Sequence, residues 1–212
     1  MELSANDLNS QKRLFLILGA ALLLLPLIAF FGLAPTDMGS QGINANVNSY
    51  RGVVTAEAAK YDMTDYIPLI LAVMQQESGG QGNDPMQAAE GPFNTEYPKR
   101  PNGITDPIYS IDCGIQELKQ NLGMALCLSP TDTPGIELAL QGYNFGSGFI
   151  TWAKDKGGWT PTNAQEFSQA EAQKMGWSTY GDVDYVSHVL RYYHMFDTSS
   201  QSEVSSATTI KN

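Results

Sequence analysis

The sequence predicts a mainly helical domain that follows a single transmembrane helix. Residues 14–34 contain no charged side chain, which is typical of a membrane span. Between residues 50 and 197, apolar side chains recur at the three- and four-residue spacing of helices, and no run alternates as a half-buried strand does. With 212 residues, the chain suits one domain with appended segments.

The apolar segment over residues 14–34 is long enough to cross a bilayer. Its 21 residues, at about 1.5 Å each, match a hydrocarbon core of about 30 Å. Lys12 and Arg13 precede it and the next basic residue is Arg51. The positive-inside rule therefore predicts a protein of the cell membrane whose C-terminal domain lies outside the cytoplasm.

A cleaved signal peptide is the alternative interpretation of the same segment. The segment ends on Gly-Leu-Ala, which has the small-x-small pattern of a cleavage site. Signal peptides, however, usually have a shorter apolar region of about 7–15 residues. Cleavage would release a secreted domain, so both interpretations place the domain outside the cytoplasm.

Polar segments flank the predicted helical domain. The one before it is rich in Gly, Asn and Ser, which favours a linker. The one after it is rich in Ser and Thr without apolar periodicity, which is typical of a disordered tail. The predicted organisation is a cytoplasmic N-terminus over 1–13, a transmembrane helix over 14–34, a linker over 35–49, a helical domain over 50–197 and a tail over 198–212.

Within the domain, seven segments have helical periodicity. The second is the most apolar and has Pro68 in its first turn, where the missing N–H is not needed. The third has an apolar stripe that includes Ile111, Ile115 and Leu118. The predicted helices span residues 50–61, 67–77, 107–126, 133–144, 149–154, 163–175 and 184–196.

The charge of the chain excludes some classes of partner. Twelve Lys and Arg residues against 22 Asp and Glu residues give a formal net charge of −10. A nucleic-acid-binding protein needs a basic surface, so no nucleic-acid partner is predicted. His188 and His194 are six residues apart and do not share a helix face, so neither a zinc site nor a cofactor is predicted. Neutral sugars fit this composition.

The two cysteines, Cys113 and Cys127, are predicted to lie on one helix. Their 14-residue separation would span about 21 Å of helix, whereas a disulfide needs Cα atoms within about 7 Å. We therefore expect free thiols unless the helix breaks at Gly123. Asp112-Cys113-Gly114 resembles the start of a papain-like peptidase, but the histidine on a strand that activates such a thiol is missing, so Cys113 is predicted to be structural.

Residues 79–106 interrupt the helical pattern with nine Gly and Pro residues. A loop of this length in a compact domain is usually functional or disordered. Its aromatic residues Phe93 and Tyr97 argue against disorder. The sequence therefore predicts a functional loop directly after the second helix.

Glu77, at the end of that helix, continues its apolar face. Ile70, Val73, Met74 and Glu77 are spaced i, i+3, i+4 and i+7. A carboxyl group on this face is partly desolvated, which raises its pKa and suits a general acid that protonates a glycosidic oxygen. Ser78 and the two glycines after it would end the helix and let a sugar chain approach. A solvated helix end is the alternative interpretation.

Three motifs occur in a specific order: Glu77-Ser78 at a helix end, Met86-Gln87 in the loop, and Tyr143-Asn144 in YNFGSG. This order resembles the lysozyme-like superfamily of goose-type lysozymes and soluble lytic transglycosylases, whose versions read E-S, G-L-M-Q and A-Y-N-x-G. Through the whole loop and in YGDVDYVSHVLRYY, the chain is also similar to the muramidase domain of CwlT-like cell-wall hydrolases of Gram-positive conjugative elements. The resemblance covers roughly residues 50–196.

The resemblance implies a lysozyme-like fold of packed helices around a substrate cleft, and it implies residue roles. Glu77 matches the catalytic acid. Met86 and Gln87 match a pair that lines the cleft near the acid. Tyr143 and Asn144 match a pair that contacts the sugar or orients the acid. The chain departs from the superfamily where Asp84-Pro85 replaces Gly-Leu, which adds a carboxylate of unknown purpose.

A hydrolase of this kind needs a second carboxylate. An inverting enzyme has a base about 6.5–9.5 Å from the acid, and a retaining enzyme has a nucleophile at about 5–5.5 Å. Goose-type lysozymes have an acidic residue soon after the Met-Gln pair, so the resemblance favours Glu90. Without a base, the 6-hydroxyl of the substrate could attack, which is lytic transglycosylase chemistry. The other candidates are Asp84, Asp106 and Asp112.

The resemblance therefore implies a muramidase that cleaves the β-1,4 bond between N-acetylmuramic acid and N-acetylglucosamine in peptidoglycan. It also implies that the enzyme opens the wall locally for a conjugation or type IV secretion machine. A non-catalytic glycan-binding scaffold of that machine is the alternative from another class. Aromatic residues that could stack on sugars, but are more typical of a core, are Trp152, Trp159, Trp177, Tyr180 and Tyr185.

Overall fold

A computed structural model describes residues 42–193 of the chain. In this range the secondary structure is helical and no strand is present. A short 3₁₀ helix, Thr64–Tyr66, precedes the third α-helix. The α-helices are α1 (Ala45–Ser49), α2 (Arg51–Ala59), α3 (Ile67–Glu77), α4 (Pro107–Met124), α5 (Thr133–Phe145), α6 (Gly148–Lys154), α7 (Pro161–Met175) and α8 (Tyr185–Leu190).

Helices α4, α5 and α7 start after side-chain caps, whereas α3 starts without one. Helix α3 has the predicted bounds, with Pro68 in its first turn. Helix α4 begins after Asp106, whose carboxylate accepts a hydrogen bond from the Ile108 amide at 2.9 Å. Helix α7 begins two residues earlier than predicted because the Thr160 hydroxyl accepts a hydrogen bond from the Asn163 amide at 3.0 Å.

The N-terminal boundary of the domain differs from the prediction. The last five residues of the predicted linker form α1, in which Val47 is 0% exposed. The side-chain carbonyl oxygen of Asn44 caps this helix by accepting a hydrogen bond from the Val47 amide at 2.8 Å. The backbone amide of Asn44 in turn donates to Oε1 of Gln75 in α3 at 2.7 Å. The linker prediction over residues 35–49 is therefore wrong for residues 45–49.

At the other end, α8 stops at Leu190, short of the predicted 184–196. Several predicted features lie outside the described residues. They are the N-terminus over 1–13, the span over 14–34, the tail over 198–212 and His194. From residue 42 to residue 193, no helix combines the length and the apolar character needed to cross a membrane.

Helix α3 runs through the middle of the core. Six consecutive residues, from Leu69 to Met74, are almost completely buried, because α1, α2 and α8 pack around this helix. Helices α4 and α5 pack against each other beside it. A second apolar cluster forms around Phe145, Phe149 and Phe167, where Trp152 also packs. The packing of its neighbours therefore holds α3, and with it Glu77 at its C-terminal end, in a defined position in the core.

The cysteines are free thiols, and they do not share a helix. Cys113 is buried within α4. That helix ends at Met124, and Leu126 has a left-handed φ of +59°, so Cys127 follows in the connecting loop. The prediction of one continuous helix over 107–126 is therefore wrong at its C-terminal end.

Candidate active site

The chain turns sharply after Glu77, the last residue of α3. Gly79 and Gly80 have φ of +63° and +73°, in the left-handed region that favours glycine. A Cβ at Gly80 would lie 2.8 Å from the Val47 amide nitrogen of α1. The glycine pair is therefore required both for the backbone turn and for close packing against the first helix.

Ser78 holds this turn against the following loop. Its hydroxyl donates to the Pro85 carbonyl at 2.8 Å and accepts a hydrogen bond from the Gly80 amide at 3.0 Å. These contacts give Ser78 a structural role at the start of the loop. The predicted contact of Ser78 with substrate stays a prediction.

Glu77 is half-buried, and its carboxyl group has one close phenolic partner. The hydroxyl of Tyr185 donates a hydrogen bond to Oε1 of Glu77. The pKa of Glu77 is raised to about 7 in total. Burial is the largest cause, the hydrogen bond from Tyr185 acts in the opposite direction, and the charges of Asp84 and Asp182 add to the increase. A substantial fraction of Glu77 is thus protonated at neutral pH, as a general acid requires.

Tyr185 is the site residue that sequence analysis did not assign to this role. It is 2% exposed, at the start of α8, and was predicted only as a core or sugar-stacking aromatic residue. It meets Glu77 because α8 packs against α3, 108 positions earlier in the chain. No local pattern in the sequence indicates that contact.

Tyr143 is buried and bonds to the loop that follows Glu77. It is 7% exposed, and its hydroxyl donates to the Met86 carbonyl at 2.9 Å. Met86 is itself fully buried, and a Cβ at Gly114 of α4 would lie 2.6 Å from the Met86 Cβ. Both residues therefore hold the loop on the core, and their predicted roles beside the substrate stay predictions.

The carboxylate of unknown purpose, Asp84, organises the same loop. It is buried and accepts hydrogen bonds from the amides of Ala88 at 2.9 Å and Ala89 at 3.1 Å. The Ser110 hydroxyl of α4 donates to it at 2.6 Å. With these three donors in place, Asp84 anchors the loop on α4.

The two other alternative carboxylates also have structural partners. Asp106 caps α4, as described above. Asp112 accepts hydrogen bonds from the Tyr61 hydroxyl at 2.7 Å and from Nε2 of Gln116 at 2.8 Å. Of the four carboxylates predicted as the second catalytic group, only Glu90 has a side chain without a hydrogen bond to another residue in the range 42–193.

Gln87 bridges two parts of the loop. Its backbone has a left-handed φ of +49°, which is uncommon for a residue with a side chain. Its Nε2 donates to the Asp84 carbonyl at 2.9 Å and to Oδ1 of Asn102 at 3.0 Å. Gln87 is half-buried, and its predicted place on the cleft wall stays a prediction.

Asn144 fixes the segment that leads into α8. It is 8% exposed, and its Oδ1 accepts a hydrogen bond from the Asp182 amide at 2.7 Å. A Cβ at Gly181 would lie 2.7 Å from the same oxygen. Oδ2 of Asp182 is 2.7 Å from Nδ1 of His188, and this hydrogen bond raises the pKa of His188. Asn144 therefore positions the residues around Tyr185, and its predicted contact with sugar stays a prediction.

Two further carboxyl groups, those of Glu90 and Glu117, have raised pKa values. Burial raises the pKa of the half-buried Glu90 to about 6, with a contribution from the charge of Asp84. The pKa of Glu117 in α4 is raised to about 8 in total, mainly by burial. The charge of Glu77 adds to this increase and the charge of Lys99 opposes it. Glu117 is not among the site residues predicted from the sequence. Its position one helical turn after Gly114, which packs on Met86, is the signal that could have identified it.

The remaining aromatic candidates divide between core and surface. Nε1 of Trp159 donates to Oε1 of Gln141 at 3.1 Å. Trp177 is 36% exposed and stacks on Tyr180, with ring centroids 6.4 Å apart. In the part of the chain that the structure describes, no group of three His, Cys, Asp or Glu side chains is arranged to hold a metal ion.

Comparison with known proteins finds several relatives, one of which is named as a muramidase. The chain is 40% identical over 164 residues to the bifunctional muramidase/DL-endopeptidase CwlT of Bacillus subtilis strain 168, and the match covers 77% of this chain and 46% of that protein. It is 32% identical to the uncharacterized membrane protein YocA of the same organism, over 60% of this chain and 53% of that protein. The chain thus spans about half the length of these relatives.

A solved structure has a similar fold. It is a protein described as similar to lipoprotein, of the NLP/P60 family, from Staphylococcus aureus, and it is 27% identical with a TM-score of 0.61. The match covers 75% of this chain and 55% of that one. A sequence model of the Lysozyme-like family matches residues 44–204. This range contains α3 with Glu77, the loop after it and α8 with Tyr185, and the chain therefore belongs to the lysozyme-like family.

Proposed function

We propose that the protein is an N-acetylmuramidase that cleaves the β-1,4 bond between N-acetylmuramic acid and N-acetylglucosamine in peptidoglycan. The observation that carries this proposal is the half-buried carboxyl of Glu77, with its pKa raised to about 7 and its Oε1 bonded to Tyr185. The muramidase named in the Bacillus subtilis relative, at 40% identity, supports the same reaction.

In this reaction Glu77 acts as the general acid. Its proton passes to the glycosidic oxygen as the bond to the anomeric carbon breaks, and the leaving sugar departs with a new hydroxyl group. The hydrogen bond from Tyr185 then stabilises the Glu77 carboxylate until it is protonated again. The same hydrogen bond fixes the orientation of the carboxyl group before the reaction.

We assign the second carboxylate to Glu90. With its pKa at about 6, Glu90 is mostly ionised at neutral pH, whereas Glu77 at about 7 retains a larger protonated fraction. Two carboxyl groups whose pKa values differ in this direction suit an acid and a base. Glu90 accepts a proton from the attacking water, and the oxygen of that water bonds to the anomeric carbon.

Mass spectrometry of digested peptidoglycan tests the reaction. The full chain in detergent is expected to produce fragments that end in a reducing N-acetylmuramic acid, and Glu77→Gln is expected to produce none. Fragments short by one water, with a 1,6-anhydro end, would instead identify a lytic transglycosylase in which no base is needed. Binding of peptidoglycan without any fragment from wild type would identify a non-catalytic scaffold.

We further propose that the domain is held at the outer face of the cell membrane by residues 14–34 and acts for a conjugation or type IV secretion machine. The uncharged segment supports the anchor, and so does the word membrane in the name of one relative. A tethered hydrolase would open the wall only near its machine. Protease digestion of intact protoplasts tests the topology, and cross-linking followed by mass spectrometry tests for secretion proteins as neighbours.

A further inference from the structure

Glu117, on α4, lies against the loop that follows Glu77. A Cβ at Gly91 would overlap Oε2 of Glu117, so the loop backbone passes directly over this carboxyl group. One turn earlier on the helix, Gly114 makes close contact with Met86. Glycine at both positions lets the loop lie flat on α4 and brings Glu117 to the same region as Glu77.

The carboxyl group of Glu117 has no hydrogen bond and no ion pair to any residue in the range 42–193. The nearest cation, Lys99, uses its Nζ to donate to the Gly91 carbonyl at 3.3 Å. Glu117 is half-buried, and the oxygen atoms of its side chain are not among the completely enclosed polar atoms. An unpaired ionised carboxylate in such a place is unfavourable, whereas a protonated one is tolerated.

The surroundings of Glu117 favour its protonated form. Its pKa is raised to about 8 in total. Burial is the largest cause, the negative charge of Glu77 adds to the increase, and the charge of Lys99 opposes it. A protonated carboxyl group has one O–H donor, which the ionised form lacks. The titratable groups that face Glu117, from its own helix and from the elements packed against it, are Glu77, Lys99, Cys113, Tyr143 and Tyr185.

We propose that Glu117 is a substrate-binding residue that donates a hydrogen bond from its protonated carboxyl group to an uncharged oxygen of the glycan. A sugar hydroxyl or an acetamido carbonyl would supply that oxygen. This inference rests on the proposed function, since it takes a glycan as the ligand. It also explains how the cleft holds two carboxyl groups close together, because Glu117 stays neutral when Glu77 gives up its proton.

A binding measurement in a background without turnover tests this role. Full-length Glu77→Gln in detergent is mixed with purified insoluble peptidoglycan, and the bound fraction is measured from about pH 6 to about pH 9.5. We expect binding to weaken as pH rises through the Glu117 pKa, which is lower in this background than in wild type because the Glu77 charge is absent. Adding Glu117→Gln should remove this pH dependence, since the amide donates at every pH.

A second variant measures the size of the contribution. Adding Glu117→Ala to the same background is expected to weaken binding about tenfold at pH 6, the effect of one lost hydrogen bond. The matched control is Glu96→Gln, an exposed carboxylate on the same loop, which should leave binding and its pH dependence unchanged. Circular dichroism of each variant shows whether the fold is retained, and the nearly isosteric Glu117→Gln keeps the test valid if the alanine variant unfolds.

Two results would overturn the assignment. Equal binding by the Glu117→Ala variant and its parent at every pH would show that Glu117 does not contact the glycan. Loss of turnover in the single variant Glu117→Gln, with binding intact, would show that Glu117 is the water-activating base. Failure of the proposed function is a separate result, because it would appear as wild-type protein that releases no fragments.

Discussion

The phenol of Tyr185 donates a hydrogen bond to the carboxyl group of Glu77, and both groups lie where α8 crosses the end of α3. Burial raises the pKa of Tyr185 well above its ordinary value, and the charge of Glu77 raises it further, so the phenol is a donor throughout the working pH range. The pKa of Glu77 thus reflects two opposed effects. Burial favours the protonated acid, and the hydrogen bond favours the anion.

Replacing Tyr185 with Phe should shift the pH dependence of activity. A hydrogen bond to the charged form lowers the pKa of Glu77, so its removal raises that pKa, and the alkaline limb of the pH–rate profile should move to higher pH. We also expect kcat to fall roughly tenfold, because the carboxyl group loses its orientation. Peptidoglycan digestion at a series of pH values measures both effects, and Tyr192→Phe, also in the last described residues, is the control.

An unshifted profile in Tyr185→Phe, with lower activity at every pH, would mean that Tyr185 supports the fold without tuning the acid. A shift of the alkaline limb to lower pH would mean that the hydrogen bond favours the protonated form of Glu77. Either result is informative only if the Tyr192→Phe profile matches that of wild type.

The variant Glu117→Gln should be more stable than wild type at alkaline pH. A carboxyl group with a raised pKa in the folded state stabilises the fold below its unfolded pKa, near 4.5, and that contribution is lost as pH rises through about 8. The amide has no proton to lose. We expect a gain of about 1–2 kcal/mol at pH 9 and about none at pH 4, discounted because the carboxyl group is partly exposed to solvent.

Urea unfolding of the two proteins at both pH values measures this difference. Glu96→Gln is again the control, since an exposed carboxylate should change the free energy of unfolding very little at either pH. A stability difference that is the same at pH 4 and pH 9 would show that the Glu117 proton is not linked to folding.

Two glycines on one helix should respond oppositely to alanine. At Gly114 a Cβ would lie 2.6 Å from the Met86 Cβ, so Gly114→Ala should destabilise the domain by about 1–3 kcal/mol and disturb the loop. At Gly123 a Cβ would meet no atom within 4 Å, so Gly123→Ala should stabilise helix α4 by up to about 1 kcal/mol. Thermal unfolding compares the pair. Similar effects at both positions would contradict the close contact between α4 and the loop.

Asn121 is a polar group that the core does not satisfy. It is 1% exposed on α4, and neither its Nδ2 nor its Oδ1 has a hydrogen-bond partner among residues 42–193. Exchanging it for the similarly shaped Leu removes the cost of desolvating the amide, so Asn121→Leu should leave stability unchanged or raise it by about 1 kcal/mol. Denaturant unfolding measures the change. A loss of more than about 2 kcal/mol would show that the amide has a partner in solution.

The sequence predicted helix α3 well because its signals are local. A long apolar run, Pro68 in the first turn and the glycine pair after Glu77 all mark the same element. Helix α1 was missed because its one buried side chain, Val47, stands in a polar segment with the composition of a linker. A single cap and a single apolar residue are too weak a pattern to detect without knowledge of what packs on them.

The roles of the site residues were harder to predict than their positions. The Met86 and Tyr143 motifs indicate which residues belong near the site, but not which atoms face a ligand. In the fold, the Tyr143 hydroxyl and the Met86 carbonyl bond to each other. The hydrogen bond from Tyr185 to Glu77 and the electrostatic effect of Glu77 on Glu117 depend on how α8 and α4 pack, which no short stretch of sequence specifies.

The docking of α1 has a mechanical consequence. Asn44 bonds both to Gln75 in the last turn of α3 and to the Gly79 carbonyl at 3.0 Å, two residues beyond Glu77. The first residues of the domain are therefore bonded directly to the segment that carries Glu77. A force applied to the chain before Asn44 would be transmitted through these two hydrogen bonds directly to the turn beside Glu77. The direction of that force would therefore set the orientation of the turn that carries Glu77.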